Sequence, residues 1–167
     1  MRKILGTVLI GSMVTVGGGI VRAGPFEDGV AAYQRRDFAT ALELFRSLAE
    51  KGNASAQFNL GLMYAQGQGV AQDFHEALKW YRLGAEQGNA SAQSTLGLMY
   101  AQGRGVPQDF VHAHMWSNLA ASKLRGDDAQ VAAQRRDIIE RGLSTAQVAR
   151  AQEMARQCEA RKFKGCD

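Results

Sequence analysis

The chain has 167 residues, 46% of them hydrophobic and 22% charged, so it has the means to bury a core and falls outside the disordered class. Its 20 basic residues against 16 acidic ones give a formal charge of +4. Arg2, Lys3 and Arg22 lie in the first 23 positions with no acidic residue beside them, and without that segment the balance is 17 against 16. A nearly neutral body has no broad electrostatic footprint for nucleic acid, and that partner class is excluded.

In chain order, residues 1–23 read as an export signal. A basic start at Arg2 and Lys3 leads into an apolar run from Ile4 to about Val16. Gly17 to Gly19 break any helix, and Val21-Arg22-Ala23 suits cleavage between Ala23 and Gly24. The run is shorter than the roughly 20 residues a membrane span needs, so no span is expected after cleavage. An uncleaved N-terminal anchor is the rival reading. The mature chain is expected in the periplasm or secreted.

Residues 24–126 read as a repeat array with units at about 26–54, 55–90 and 91–126. Residues 55–90 set over 91–126 agree at 20 of 36 positions, where chance gives about two. Within the unit, Ala56, Leu60, Met63 and Tyr64 form one helical stripe. Gly61 and its copy Gly97 weaken a helix interior and need a reason, which is close approach of a second helix at Ala77 and Ala113. Gly67-Gln68-Gly69-Val70 turns the chain, Asp73 caps the second helix, and Phe74, Ala77, Leu78 and Tyr81 give that helix its buried stripe. Gly88-Asn89 ends the unit. The first unit is degenerate. Asp37-Phe38, Ala41 and Phe45 match Asp73-Phe74, Ala77 and Tyr81, but Tyr33 matches Tyr64 only if five residues of the turn are deleted. One helix pair cannot bury its apolar faces alone, so the units must stack.

These residues carry a resemblance. Leu60, Gly61, Tyr64, Gly67, Gly69, Val70, Asp73, Ala77 and Trp80 resemble the Sel1-like repeat, which is related to the tetratricopeptide family. Leu96, Gly97, Tyr100, Gly103, Gly105, Val106, Asp109, Ala113 and Trp116 repeat the pattern. The resemblance implies an all-α fold, an α/α superhelical solenoid of stacked antiparallel helix pairs. It also implies use as an adaptor, often in exported or envelope proteins of bacteria. The third copy departs late, with Ser117 and Asn118 in place of Tyr81 and Arg82.

Residues 127–167 read as C-terminal capping helices. Asp127 or Asp128 starts one helix, closed by Gly142. Ser144 to Gln147 form a capping box before a last helix with Val148, Ala151, Ala155 and Cys158 on one face. Arg135, Arg136, Arg150 and Arg156 are expected on the polar outer side of this cap. Cys158 and Cys166 are close enough to close a short disulfide loop in an oxidising compartment, adding roughly 2.5 kcal/mol by ring closure. A metal is the rival, but two thiolates without a nearby histidine do not complete a tetrahedral shell.

No cofactor, metal or catalytic group is expected. His112 and His114 are two apart on a helix and point about 200° away from each other, and His75 does not recur. Gly67-x-Gly69 and Gly103-x-Gly105 follow helices, lack a third glycine and have no Lys-Ser/Thr for phosphate. The expected function is non-catalytic protein binding in the bacterial envelope. An envelope enzyme or small-ligand binder on the same solenoid is the alternative. By resemblance to tetratricopeptide-like solenoids, the groove side of each first helix holds Phe58, Leu62 and Gln66, then Ser94, Leu98 and Gln102. Phe58 and Leu62 there either contact a partner or pack against neighbouring repeat helices.

Overall fold

The computed structural model describes residues 24–166; the export segment read at residues 1–23 lies outside them. Eight helices follow in order: α1 (Pro25–Gln34), α2 (Phe38–Glu50), α3 (Ala54–Gln66), α4 (Phe74–Ala85), α5 (Ala90–Gln102), α6 (Phe110–Lys123), α7 (Gly126–Glu140) and α8 (Thr145–Ala160). No strand occurs among the described residues. Each helix from α1 to α6 packs on the next, and α8 packs back on α6. The result is a helical solenoid.

Side-chain caps set where the helices begin, and they alternate by role. In the two full units the first helix opens on asparagine: Asn53 accepts from the Ala56 N–H at 2.9 Å, and Asn89 from Ala92 at 2.9 Å, whereas α1 opens on Gly24 without a side-chain cap. The second opens on aspartate: Asp37 accepts from Thr40, Asp73 from His75 and Glu76, and Asp109 from Val111 and His112. Each cap satisfies a backbone donor that the helix leaves open, worth about 1 kcal/mol. Asn89 therefore starts the next unit rather than finishing the last one.

The two glycines of each long turn have different duties. Gly67 and Gly103 end α3 and α5 in the left-handed region, at φ of 67° and 65°. Gly69 is also left-handed, at φ 74°, and a Cβ there would stand 2.8 Å from the Phe38 carbonyl oxygen. Gly105 meets the Phe74 carbonyl in the same way. The turn of one unit thus rests on the start of the preceding unit's second helix. The first unit does without this turn, and Arg36 takes the left-handed position at φ 63°.

The glycine inside each first helix lets the pair close. A Cβ on Gly61 would lie 2.9 Å from the Tyr81 ring and 3.2 Å from the Ala77 carbonyl oxygen. On Gly97 it would meet Ser117 Oγ at 2.5 Å and the Ala113 carbonyl at 3.1 Å. Gly29 faces the Phe45 ring at 2.8 Å, so the degenerate unit keeps the device.

Neighbouring units are tied by recurring polar bonds as well as by apolar packing. Gln57 and Gln93, both buried, donate from Nε2 to the Ala49 and Ala85 carbonyls at 3.1 and 3.2 Å. Arg46 donates to the Tyr64 hydroxyl, and Arg82 to that of Tyr100, each at 3.1 Å. The core has two parts, one around Phe45, Leu60 and Met63, the other running from Tyr81 through Leu96 and Trp116 to Cys158. Tyr64 packs against both.

At the C-terminal end, α7 and α8 flank α6. The α7 cap differs from the sequence expectation. Its N-cap is Arg125, which makes no side-chain bond, and Asp127 and Asp128 sit in the first turn, where they favour the helix dipole instead. Its C-cap, Arg141, is right-handed, and Gly142 takes no left-handed turn. The Ser144–Gln147 capping box is present, and Ala151, Ala155 and Cys158 are buried. Cys158 is bonded to Cys166, and this loop carries Lys162 and Phe163 at φ 53° and 65°. Lys123 Nζ lies 3.7 Å over the Phe163 ring, which joins the loop to the end of α6.

Two stability tests follow from this packing. Gly61→Ala should lower the unfolding free energy measured in urea by about 1–3 kcal/mol through overpacking. Gly69→Ala should lower it further, because a left-handed backbone and a fixed carbonyl add to the clash. The Cys158→Ser, Cys166→Ser double variant should lose roughly 2.5 kcal/mol, the ring-closure value for a separation of 8 residues. An unchanged urea midpoint in the glycine variants would contradict the close-approach account.

Candidate functional site

Side chains of α3, α5 and α7 line one side of the solenoid, with Phe74 of α4 and Phe110 of α6 at its edge. The six groove-side residues expected from sequence fall into three adjoining hollows on that side. Phe58 and Ser94 line one of about 220 Å³, next to Asp128 and Val131. Leu62 and Gln66 line another of about 230 Å³, bounded by Phe74 and Arg104. Leu98 and Gln102 line that second hollow and also the largest, a groove of about 580 Å³ between α5 and α7.

Their surroundings are not equivalent. Gln66 and Gln102 are exposed, whereas Phe58, Leu62, Ser94 and Leu98 are half-buried. The Phe58 ring lies 5.7 Å from that of Tyr81 in a tilted contact, so part of its surface packs inside its own unit. Gln66 accepts a hydrogen bond from the Tyr33 hydroxyl at 3.2 Å, across to the first unit.

Four of the residues lining the largest groove that were not singled out from sequence set its character. Phe110, Val131 and Ile138 are 43%, 49% and 65% exposed, and they are three of the four large apolar side chains so exposed among the described residues. Such a concentration marks a contact surface more often than scattered apolar residues do. The fourth is Arg135, expected on the outer polar side of the cap. It points inward instead, and its Nη1 donates to the Ser94 carbonyl at 3.0 Å and to Ser94 Oγ at 2.9 Å. Burial pulls its pKa below the usual arginine value, and no carboxylate lines the groove around it. The other three arginines behave as expected: Arg136 pairs with Asp137, Arg156 with Glu153, and Arg150 is exposed.

The signal for this site was present in α7. Val131-Ala132 and Ile138-Ile139 are adjacent apolar pairs seven residues apart, and α6 buries only Ala132 and Ile139. Neighbours on a helix stand about 100° apart, so the other member of each pair faces elsewhere.

The titratable groups are accounted for by local structure. Burial pushes the Asp109 carboxyl up, but hydrogen bonds from the His112 backbone and ring and from the Val111 N–H outweigh it and hold the pKa below the usual value. His112 Nδ1 is 2.8 Å from Asp109 Oδ2, and its ring stacks on Tyr100. His114 is buried, with Nε2 3.1 Å from Glu140 Oε2. His75 is exposed. Among the described residues, no three of His, Cys, Asp or Glu are grouped to hold a metal ion.

Comparison with known proteins agrees with this architecture. The Sel1 repeat family model matches residues 23–53, 54–89 and 90–123. Among solved structures, the chain is similar to c5321, a protective antigen present in uropathogenic Escherichia coli strains displaying an SLR fold. That match has 32% identity and a TM-score of 0.77, covering 85% of this chain and 30% of that one. It is also similar to a Sel1 repeat protein from Oxalobacter formigenes, with 32% identity and a TM-score of 0.57 over 61% of this chain and 41% of the other. This chain therefore spans well under half the length of either protein. Comparison with curated proteins gives no significant match. Three matched repeats, together with the glycine-closed helix pairs, show that the chain belongs to the Sel1 repeat family.

Proposed function

We propose that this chain is an exported, non-catalytic scaffold of the bacterial envelope that holds another protein on the inner side of its solenoid. The observation that carries the reading is the gathering of Phe110, Val131 and Ile138 in one groove with Leu98 and Gln102. Exposed apolar surface is destabilising to leave in water, and a binding partner removes it. The Sel1 repeat fold supports an interaction role, since its recurring glycines, alanines and aromatics are consumed by stacking and leave the inner side open to a partner.

Export is supported by the basic start and apolar run of residues 1–23, and by a disulfide, which persists in oxidising compartments. The similar c5321 is a protective antigen, and the likeness favours a place outside the cytoplasm here too. No helix of the described residues is long and apolar enough to cross a membrane.

A small-ligand site is the second reading, because about 580 Å³ lies in the range of small-molecule pockets. Its lining residues Phe110, Val131 and Ile138 are exposed to solvent, which suits a protein surface better than an enclosed small molecule.

Photo-crosslinking residues placed at Gln66 and Gln102, against Lys79 and Arg150 on other faces, test the reading in intact cells. The inner positions should give discrete protein adducts and the others should not. Adducts only from Lys79 and Arg150 would place the partner elsewhere, and adducts from none of the four positions would remove the scaffold reading. For export, the N-terminal sequence of the mature protein should begin at Gly24.

A further inference from the structure

Resting on the scaffold reading, we propose that the groove between α5 and α7 receives an amphipathic helical segment of a partner protein. That helix is about three turns long, sets apolar side chains on Val131 and Ile138, and places a carboxylate on Arg135.

The length follows from the groove wall. Val131, Arg135 and Ile138 form one stripe of α7, and Gly142, just past the Arg141 C-cap and eleven residues after Val131, ends the wall. At 1.5 Å per residue the wall is roughly 16 Å long, about three turns. Leu98, Ala101 and Gln102 on α5 form the facing wall. Gly142 leaves its end low, since even a Cβ there would meet only the Ile139 carbonyl at 3.5 Å.

The helical form follows from backbone chemistry. Both walls are helices whose backbone groups are bonded within themselves, so the groove offers apolar side chains and no open ladder of donors and acceptors. An extended segment laid there would lose water from its own N–H and C=O groups and gain few partners. A helix satisfies those groups internally and brings only an apolar stripe, which is the helix-in-groove mode of recognition.

The acidic residue follows from charge. Arg135 is the one charged side chain lining this groove, and Arg104 stands in the adjoining hollow beyond Gln102, again with no carboxylate in the lining. Arg135 also borders the hollow of Phe58 and Ser94, where Asp128 lies seven residues earlier on α7, but the two make no ion pair and only burial shifts the arginine. The bonds to Ser94 engage only Nη1, which fixes the guanidinium while its remaining donors suit a carboxylate. A half-buried cation without a counter-ion is destabilising, and an acidic ligand supplies one.

The test is selection from a displayed library of conformationally constrained helical peptides of about four turns, panned on the purified full chain. Selected peptides should carry an apolar i, i+3/i+4, i+7 stripe with one Asp or Glu beside it. Their affinity should fall at least about tenfold on Ile138→Glu, as for a central contact residue. Arg135→Gln should weaken the acid-bearing peptide several-fold and leave its amide counterpart unchanged, a coupling that a merely structural arginine would not give. Ile138 is largely exposed, so its substitution leaves the fold intact, and circular dichroism checks both variants. Peptides selected without an acid, or binding indifferent to Ile138→Glu, overturn the proposal. So does concentration-dependent self-association abolished by Ile138→Glu, which would make the occupant a second copy of this chain. If inner-face crosslinks to a native protein persist while no selected peptide competes with them, the helical occupant is wrong and the scaffold reading stands.

Discussion

The closeness of the two helices in each unit is the constraint on which the rest depends. Gly61 and Gly97 have no Cβ, so the carbonyls of Ala77 and Ala113 come within about the distance a side chain would need. A helix-interior glycine is unfavourable by about 1 kcal/mol relative to alanine. Close packing over a whole helix length more than offsets it, because each buried aliphatic or aromatic side chain contributes roughly 1.5–3 kcal/mol. Once the pair is closed, Tyr81, Phe45 and Trp116 are forced into the seams between helices, and the Gly69 and Gly105 turns come to rest on the previous unit. Stacking then follows from the pair.

The groove arises where this logic stops. Arg46 reaches Tyr64 and Arg82 reaches Tyr100, but Asn118 stands at the next such position and α7 contains no tyrosine. Gln57 and Gln93 tie their units to the preceding carbonyls, and Ala129 stands where a third glutamine would be. Lacking both ties, α7 is held mainly by α6, and α8 takes the other side of α6. One stripe of α7 therefore faces α5 across a groove that Arg135 alone bridges by hydrogen bonds, to Ser94, among its lining residues. The ending of the array and the appearance of an apolar groove are two views of one event.

The fold was legible because repetition separates scaffold from variation. A lone Gly61 is ambiguous, whereas Gly61 and Gly97 at the same place in two copies point to packing, and Asp73 and Asp109 reveal themselves as caps in the same way. The disulfide was legible from the isolation of two cysteines near one end. Arg135 was misplaced because α7 has no second copy against which to read it, and arginine on a terminal helix suggests a solvated face. The paired apolar residues of α7 fit two faces of a helix, and sequence periodicity alone does not say which one α6 covers. Phe58 carried both of its readings into the structure, half against Tyr81 and half along the inner side.

The account divides the molecule into residues that stack and residues that bind. The most direct test is a saturation scan of residues 24–166 read twice, once for folded abundance and once for binding to the crosslinked partner. Positions that lower abundance should be the buried recurring ones, among them Gly61, Gly97, Ala56 and Ala92. Positions that lower binding at normal abundance should gather on the facing sides of α5 and α7. Binding-specific positions scattered over the outer surface, or confined to the buried stacking residues, would contradict that division.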